Sequence, residues 1–273
     1  RMGLPDAQAV LSQGTLLQHR VVPSSSFVGA MPLPDGTNGE KEDPQPSLEW
    51  KSKDDLKDVV LYQGLLSPPC VKIRCHLIHN GVALTTKPAS AGKPIKPGAS
   101  YKKVPVLTVG NRTVNDSYVI VKHLVPIASG QPLNEEWEQK ITYKLQPSIE
   151  LECFGNVRDL SKFACAMGFP KCIVCCIAPT MSKKLPVNFR KTYPDLPASV
   201  DIGKEFHTAM GSSKFFGGEQ PGPVDISYYG TCLTFMYLKL ECGHNHIEGA
   251  GLKDWWQRME AVIPTDKIFP PKK

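Results

Sequence analysis

The chain has 273 residues and a mass of 30.0 kDa, enough for two modest domains. Its hydrophobic content of 41% is ordinary for a globular protein. The net charge of +6 is spread along the chain without the dense basic run that marks a nucleic-acid site. No apolar run reaches the ~18 residues needed to span a bilayer, and the most apolar segment, Cys172 to Ala178, is far shorter.

Residues 1–55 read as an extended N-terminal arm. They are rich in Pro, Gly and Ser and show little sustained periodicity. Such a segment cannot bury enough apolar area to offset its ordering entropy alone. Scattered apolar residues, among them Val10, Leu11, Leu16, Leu17, Phe27 and Met31, suit an arm that orders by lying across a partner; a disordered arm is the plain alternative. Arg1 stands where an initiator Met is usual, which fits a removed import segment and equally a fragment.

Residues 56–128 read as a small mixed α/β domain. Val59–Tyr62 is the first strand, followed by a loop and a helix opened by Pro68 and Pro69. That helix places Cys70, Ile73, Leu77 and Ile78 near one face and stops at Asn80-Gly81. A short strand, Val82–Thr86, and a Pro- and Gly-rich stretch, Lys87–Gly98, come next. Lys103–Val109 reads as a buried strand with proline near its start, and Gly110-Asn111 turns it into Arg112–Val114. Asn115-Asp116-Ser117 then caps a helix that carries Val119, Ile120 and Leu124 inward. The order is strand–helix–strand–strand–strand–helix.

Residues 129–265 read as all-helical, with helices over Leu133–Leu145, Asp159–Ala166, Pro170–Lys184, Asp201–Met210, Val224–Glu241 and Lys253–Val262. Gly222 sits at a helix cap, Pro223 at the first helical position and Asp225 in the first turn, where a carboxylate favours the free amides. Residues 266–273 read as a tail.

The first chemically suggestive junction is Ser67-Pro68-Pro69-Cys70. A Cys-x-x-Cys after a first strand is a thioredoxin-like redox motif, but the outer, attacking position here is serine. A thiol at the start of a helix is favoured as thiolate by the helix dipole. The nine cysteines lack the spacing of a secreted disulfide framework and are expected to be reduced and mostly buried, in an intracellular compartment. Cys172, Cys175 and Cys176 lie in an apolar helical run without a matching second pair, so buried packing is expected and a zinc site is not. Glu241–His246 reads as a helix end with exposed histidines rather than a metal or haem site. No metal is expected. Trp255 and Trp256 are expected to pack the last helix against the domain or a partner.

Four segments resemble the glutathione transferase superfamily over roughly Leu56 to Ile263. They are Leu61-Tyr62-Gln63 leading into Ser67-x-x-Cys70 and Lys72-x-Arg74; Ser100–Leu107; Val114–Ile120; and Phe216-Gly217-Gly218 followed by Asp225. The resemblance implies an α+β thioredoxin-like domain followed by an all-α glutathione transferase C-terminal domain. It implies a degenerate catalytic position at Ser67 and Cys70. It implies that Val104 presents its backbone to the cysteinyl part of glutathione, that Pro105 is cis, and that Asp116 and Ser117 hold the γ-glutamyl end. The plain alternative for Asp116 and Ser117 is a helix cap alone.

The departures from the family pattern are as informative. The family's nucleophilic cysteine falls on Ser67, and the tyrosine three residues before it falls on Gly64. A thiol ionises near pKa ~8.5, whereas an alcohol needs an adjacent base. Two functional readings follow. The first is a non-catalytic accessory or structural subunit of a larger assembly, with no cofactor, bound to protein neighbours through the arm; the resemblance implies a mitochondrial location. The second is a glutathione-dependent transferase or isomerase with Ser67 activating bound glutathione.

Overall fold

The computed structural model describes residues 50–89, 95 and 101–269. The arm expectation over 1–49, most of the Pro- and Gly-rich stretch, Ser100 and the tail end at 270–273 lie outside the described residues.

The first half runs β1 (Val59–Gln63), α1 (Pro68–His79), β2 (Leu84–Pro88), β3 (Val106–Val109), β4 (Arg112–Asn115) and α2 (Ser117–Ser129), the order expected from sequence. The sheet order is β2-β1-β3-β4, with β1–β2 parallel and the other pairs antiparallel. Strand β2 runs later than expected and ends on Pro88, which an edge strand tolerates because one side of its backbone needs no ladder partner. Lys103–Pro105 stays outside β3.

Alternate residues Val59 and Leu61 of β1, Leu107 and Val109 of β3, and Val114 of β4 share a core with Ile73 and Leu77 of α1. Ile120, Val121, Leu124 and Val125 of α2 close it. Helix α1 is buried on more than this one side. Val71 and Cys75 belong to a second core, formed with the helical half. Its C-cap is Asn80, and Gly81 takes the left-handed conformation after it.

The helical half contains α3 (Glu135–Lys140), a π-helical turn (Ile141–Leu145), α4 (Gln146–Gly155), α5 (Val157–Ala166), α6 (Lys171–Thr192), α7 (Ser199–Met210), α8 (Pro223–Tyr237), α9 (Glu241–Gly249), α10 (Lys253–Val262) and α11 (Thr265–Ile268). Three expectations are corrected here. First, the helix expected to end at Leu145 continues to Gly155. Pro147 has no N–H for the carbonyl one turn back, and the wider turn just before it takes up the mismatch. Second, Cys172, Cys175 and Cys176 are exposed, not packed inside. The apolar run is only locally continuous; on α6 the inward positions are Val174, Ala178, Ser182, Leu185 and Phe189. Third, Glu241–His246 opens a helix, and His246 is buried with its Nε2 2.9 Å from the Tyr228 hydroxyl.

Helix α8 is the axis of the helical half and is buried on all sides from Pro223 to Phe235. Gly222 is its N-cap. The Asp225 carboxylate accepts the amides of Phe216 (2.8 Å), Gly217 (3.1 Å) and Gly222 (2.9 Å) and the indole N–H of Trp255 (2.9 Å). Trp255 in turn packs edge-on against Phe206 and Tyr228.

Candidate functional site

The strand register brings the sequence-predicted site residues to one end of the sheet. Tyr62 pairs with Val106, and Val106 pairs with Asn115. The Ser67 loop follows β1, Val104 and Pro105 precede β3, and Asp116 and Ser117 follow β4. All three junctions therefore lie just beyond a single row of the ladder, with neighbouring strands ~4.8 Å apart. The N-termini of α1 and α2 open at this same end, where their dipoles favour an anionic group, although Pro68 and Pro69 have no N–H to offer and Asp116 takes the amides of Tyr118 and Val119.

Ser67 is the N-cap of α1 and is almost wholly buried. Its hydroxyl makes no capping bond and instead faces the Cys70 thiol. Cys70 is fully buried, and burial pushes its thiol up to about 11. The Ser67 hydroxyl, the Gly64 backbone and the Arg74 charge favour the thiolate but do not overcome that burial. At 1.5 Å per residue, His76 and His79 lie roughly 13 and 18 Å along α1 from Ser67. His76 is committed elsewhere: its Nε2 is 2.8 Å from Ser227 Oγ on α8, and burial drives its imidazole down to about 3.

Leu65 is exposed and Leu66 is buried in the interdomain core. The carbonyl of Leu65 accepts a 2.6 Å bond from Arg74 Nη2, and the same guanidinium lies over the Phe269 ring at 5.2 Å. The loop that carries Ser67 is thus clamped by α1 and, through Arg74, by the last described residue.

The Val104–Pro105 peptide is cis. Pro105 is buried and Val104 half-buried. Asp116 sits at φ 70°, an uncommon region for a residue with a side chain, where strain costs ~1–3 kcal/mol. Its Oδ1 accepts the amides of Tyr118 (2.8 Å) and Val119 (3.3 Å), capping α2. Burial holds this carboxyl above its usual range, and the two amides and the charges of Lys72 and Lys103 pull the other way. Ser117 is buried beside it.

Sequence reasoning missed a set of buried polar groups within the helical half and on α1 where it meets that half. Lys72 is fully buried in α1, with Nζ 2.5 Å from Glu138 Oε1 and 2.7 Å from Thr142 Oγ1. Glu150 is buried on α4, where burial pushes it up to about 8 against a 3.0 Å bond from Gln146. Tyr193 stands near Glu150, Tyr143 and Asp116, whose charges act with burial to hold its phenol protonated, and its hydroxyl has no partner among the described residues. The sequence offered little signal at Lys72, whose neighbours at helical spacing are Pro68, Pro69, Cys75, His76 and His79. For Glu150 and Tyr193 there was none, because the pairing depends on how two helices turn.

Comparisons with known proteins agree with this architecture. Residues 61–132 match the family model described as glutathione S-transferase, N-terminal domain. Among solved structures the chain is similar to glutathione transferase F7 from Populus trichocarpa, with a TM-score of 0.55 and 12% identity over 77% of this chain and 97% of that one. It is similar to glutathione transferase F2 from Populus trichocarpa, with a TM-score of 0.53 and 16% identity over 77% and 96%. It is also similar to the theta class glutathione S-transferase of Xanthomonas axonopodis pv. citri with glutathione bound, with a TM-score of 0.55 and 14% identity over 79% and 99%. No curated protein matches the chain in sequence. The chain therefore has the glutathione transferase fold: a thioredoxin-like domain, whose core matches the N-terminal domain model, followed by a helical domain.

Proposed function

We propose that this chain of glutathione transferase fold is a non-catalytic accessory or structural subunit of a larger, mitochondrial assembly, held to its protein neighbours by the N-terminal arm. Its four motif segments resemble most those of membrane-associated prostaglandin E synthase type 2, and the proposal includes descent from a protein of that kind. The observation that carries the reading is the state of the Ser67–Cys70 junction. The outer sulfur is absent, and the inner one is fully buried with its thiol raised to about 11, so at neutral pH it offers almost no thiolate. A serine needs an adjacent base to replace it, and His76, on the same helix, is bonded to Ser227 instead. The long arm, with its spaced apolar residues, supplies a means of attachment.

A second reading has its own support. The Ser67 hydroxyl is not used as a cap, and Asp116 retains a strained backbone beside two helix N-termini, which together suit a bound thiol peptide that Ser67 steadies. Calorimetry with glutathione at millimolar concentration separates the two. The accessory reading expects no turnover of a generic electrophile, and co-purification in a stoichiometric assembly in which the arm resists protease. Binding abolished by both Ser67→Ala and Asp116→Ala, together with Ser67-dependent turnover, would reject it in favour of the second.

A further inference from the structure

The outer face of the α5–α6 hairpin is unlike the rest of the surface. Helix α6 contains Lys171, Lys183, Lys184, Arg190 and Lys191 and no acidic residue. The hairpin's one carboxylate, Asp159, is buried and accepts the amides of Glu241 and Cys242 at 2.8 Å each. At 100° per residue, Cys172, Cys176, Lys183, Val187 and Arg190 project from one side of α6, away from the buried row, and the exposed Cys175 lies at the row's edge. Free cysteine is among the most consistently buried residue types, yet three thiols stand exposed here within five residues. At the other end of the hairpin stand Val157 and Val187, two of the four exposed large hydrophobic residues among the described residues. Their near neighbours in sequence, Gly155 and Pro186, approach each other: a Cβ on Gly155 would lie 3.8 Å from Pro186. Pro179 and Pro186 add two interruptions at which the carbonyls of Cys175 and Ser182 lose their helical partners.

We propose that this face is a docking surface for another protein, one whose contacting patch has small apolar residues at its centre and Asp and Glu around its rim. The inference rests on the accessory-subunit reading and identifies a contact distinct from the arm. Charge complementarity selects the partner. A second copy of the chain is disfavoured, because a two-fold contact would place the same basic face against itself. A bilayer is disfavoured, because the exposed side of α6 carries thiols, prolines and valine but none of the exposed Trp, Phe or Leu that anchor an interfacial helix.

The test is thiol footprinting of the native assembly against the isolated chain, read by peptide mass spectrometry after brief alkylation. Cys232, fully buried in the fold, is the internal control. The proposal expects Cys172, Cys175 and Cys176 to be labelled at least fivefold more slowly in the assembly, with the protection lost as salt is raised. It also expects the triple variant Lys183→Glu/Lys184→Glu/Arg190→Glu to melt like the parent in isolation yet lose those protections. An arm that resists protease in an assembly whose thiols label at the free rate overturns the docking face and leaves the subunit reading standing. An arm and thiols both unprotected in native material overturn both. Undiminished protection in the charge-reversed chain, or equal protection by phosphatidylserine vesicles alone, overturns the acidic protein partner.

Discussion

Glu150 is a carboxyl group that folding places where ionisation is costly. Its ordinary value is 4.5, and burial raises it to about 8. Between those values the unfolded chain has lost the proton and the folded chain keeps it, so this residue lowers stability as pH rises through the window. Glu150→Gln keeps an acceptor for Gln146 and removes the proton. The variant is expected to be more stable than the parent at pH 8 by roughly 2–4 kcal/mol and equal to it near pH 4, read from thermal melts across that range. His76 acts in the opposite sense. Its folded value falls from 6.5 to about 3, so stability is complete above 6.5 and drains away as pH falls toward 3. That acid limb should persist unchanged in Glu150→Gln. Cys70 tests the same logic by reactivity: alkylation of the native chain should reach Cys165, Cys172, Cys175 and Cys176 within minutes and Cys70 only after unfolding.

At the level of elements, the contact between α1 and α8 holds the two halves together, and it depends on a missing side chain. A Cβ on Gly230 would lie 2.7 Å from Lys72 Cα and 3.3 Å from Cys75 Sγ. The first is backbone and cannot yield without moving α1. Gly230→Ala is expected to destabilise by about 1–3 kcal/mol despite the better helix propensity of alanine, as measured by urea unfolding. Gly230 reads in sequence as a blemish in an apolar helix, and its purpose becomes visible only when the crossing helix is present. The same limit explains which elements were legible. The thioredoxin-like half was readable because its central strands β1 and β3 are short and apolar, its turn is Gly110-Asn111 and its caps are Asn80 and Asp116, all local signals. The register that gathers Ser67, Pro105 and Asp116 follows from that order. The expected helices stop at Leu145 and Lys184, short of Gly155 and Thr192, because Pro147 and Pro186 are strong local stops that packing overrides, as it also does at Pro179. The burial of Val71, Lys72, Cys75 and His76 was missed because α1 is covered from two sides, which a single hydrophobic stripe cannot announce.

At the scale of the whole molecule, Lys72 and Glu138 are the clearest test of whether the halves form one cooperative unit. The ammonium lies on α1 and the carboxylate on α3; both are buried, and the Thr142 hydroxyl accepts from Lys72 and donates to Glu138 Oε1. The His76–Ser227 bond and the Gly230 crossing lie along the same helix. Removing one member of a buried pair leaves an uncompensated charge, at a cost of about 3–5 kcal/mol. Lys72→Met alone and Glu138→Leu alone should each lower stability by that order. The double variant should recover much of the loss, because an apolar pair of similar volume carries no desolvation penalty. If the interface couples the halves, each single variant will shift one sharp transition, with far-UV and near-UV circular dichroism coincident. Two separated transitions, with only the helical half destabilised, would mean that the domains fold independently. The pair would then be a local strut, not the joint through which the fold holds its candidate site against the helical wall.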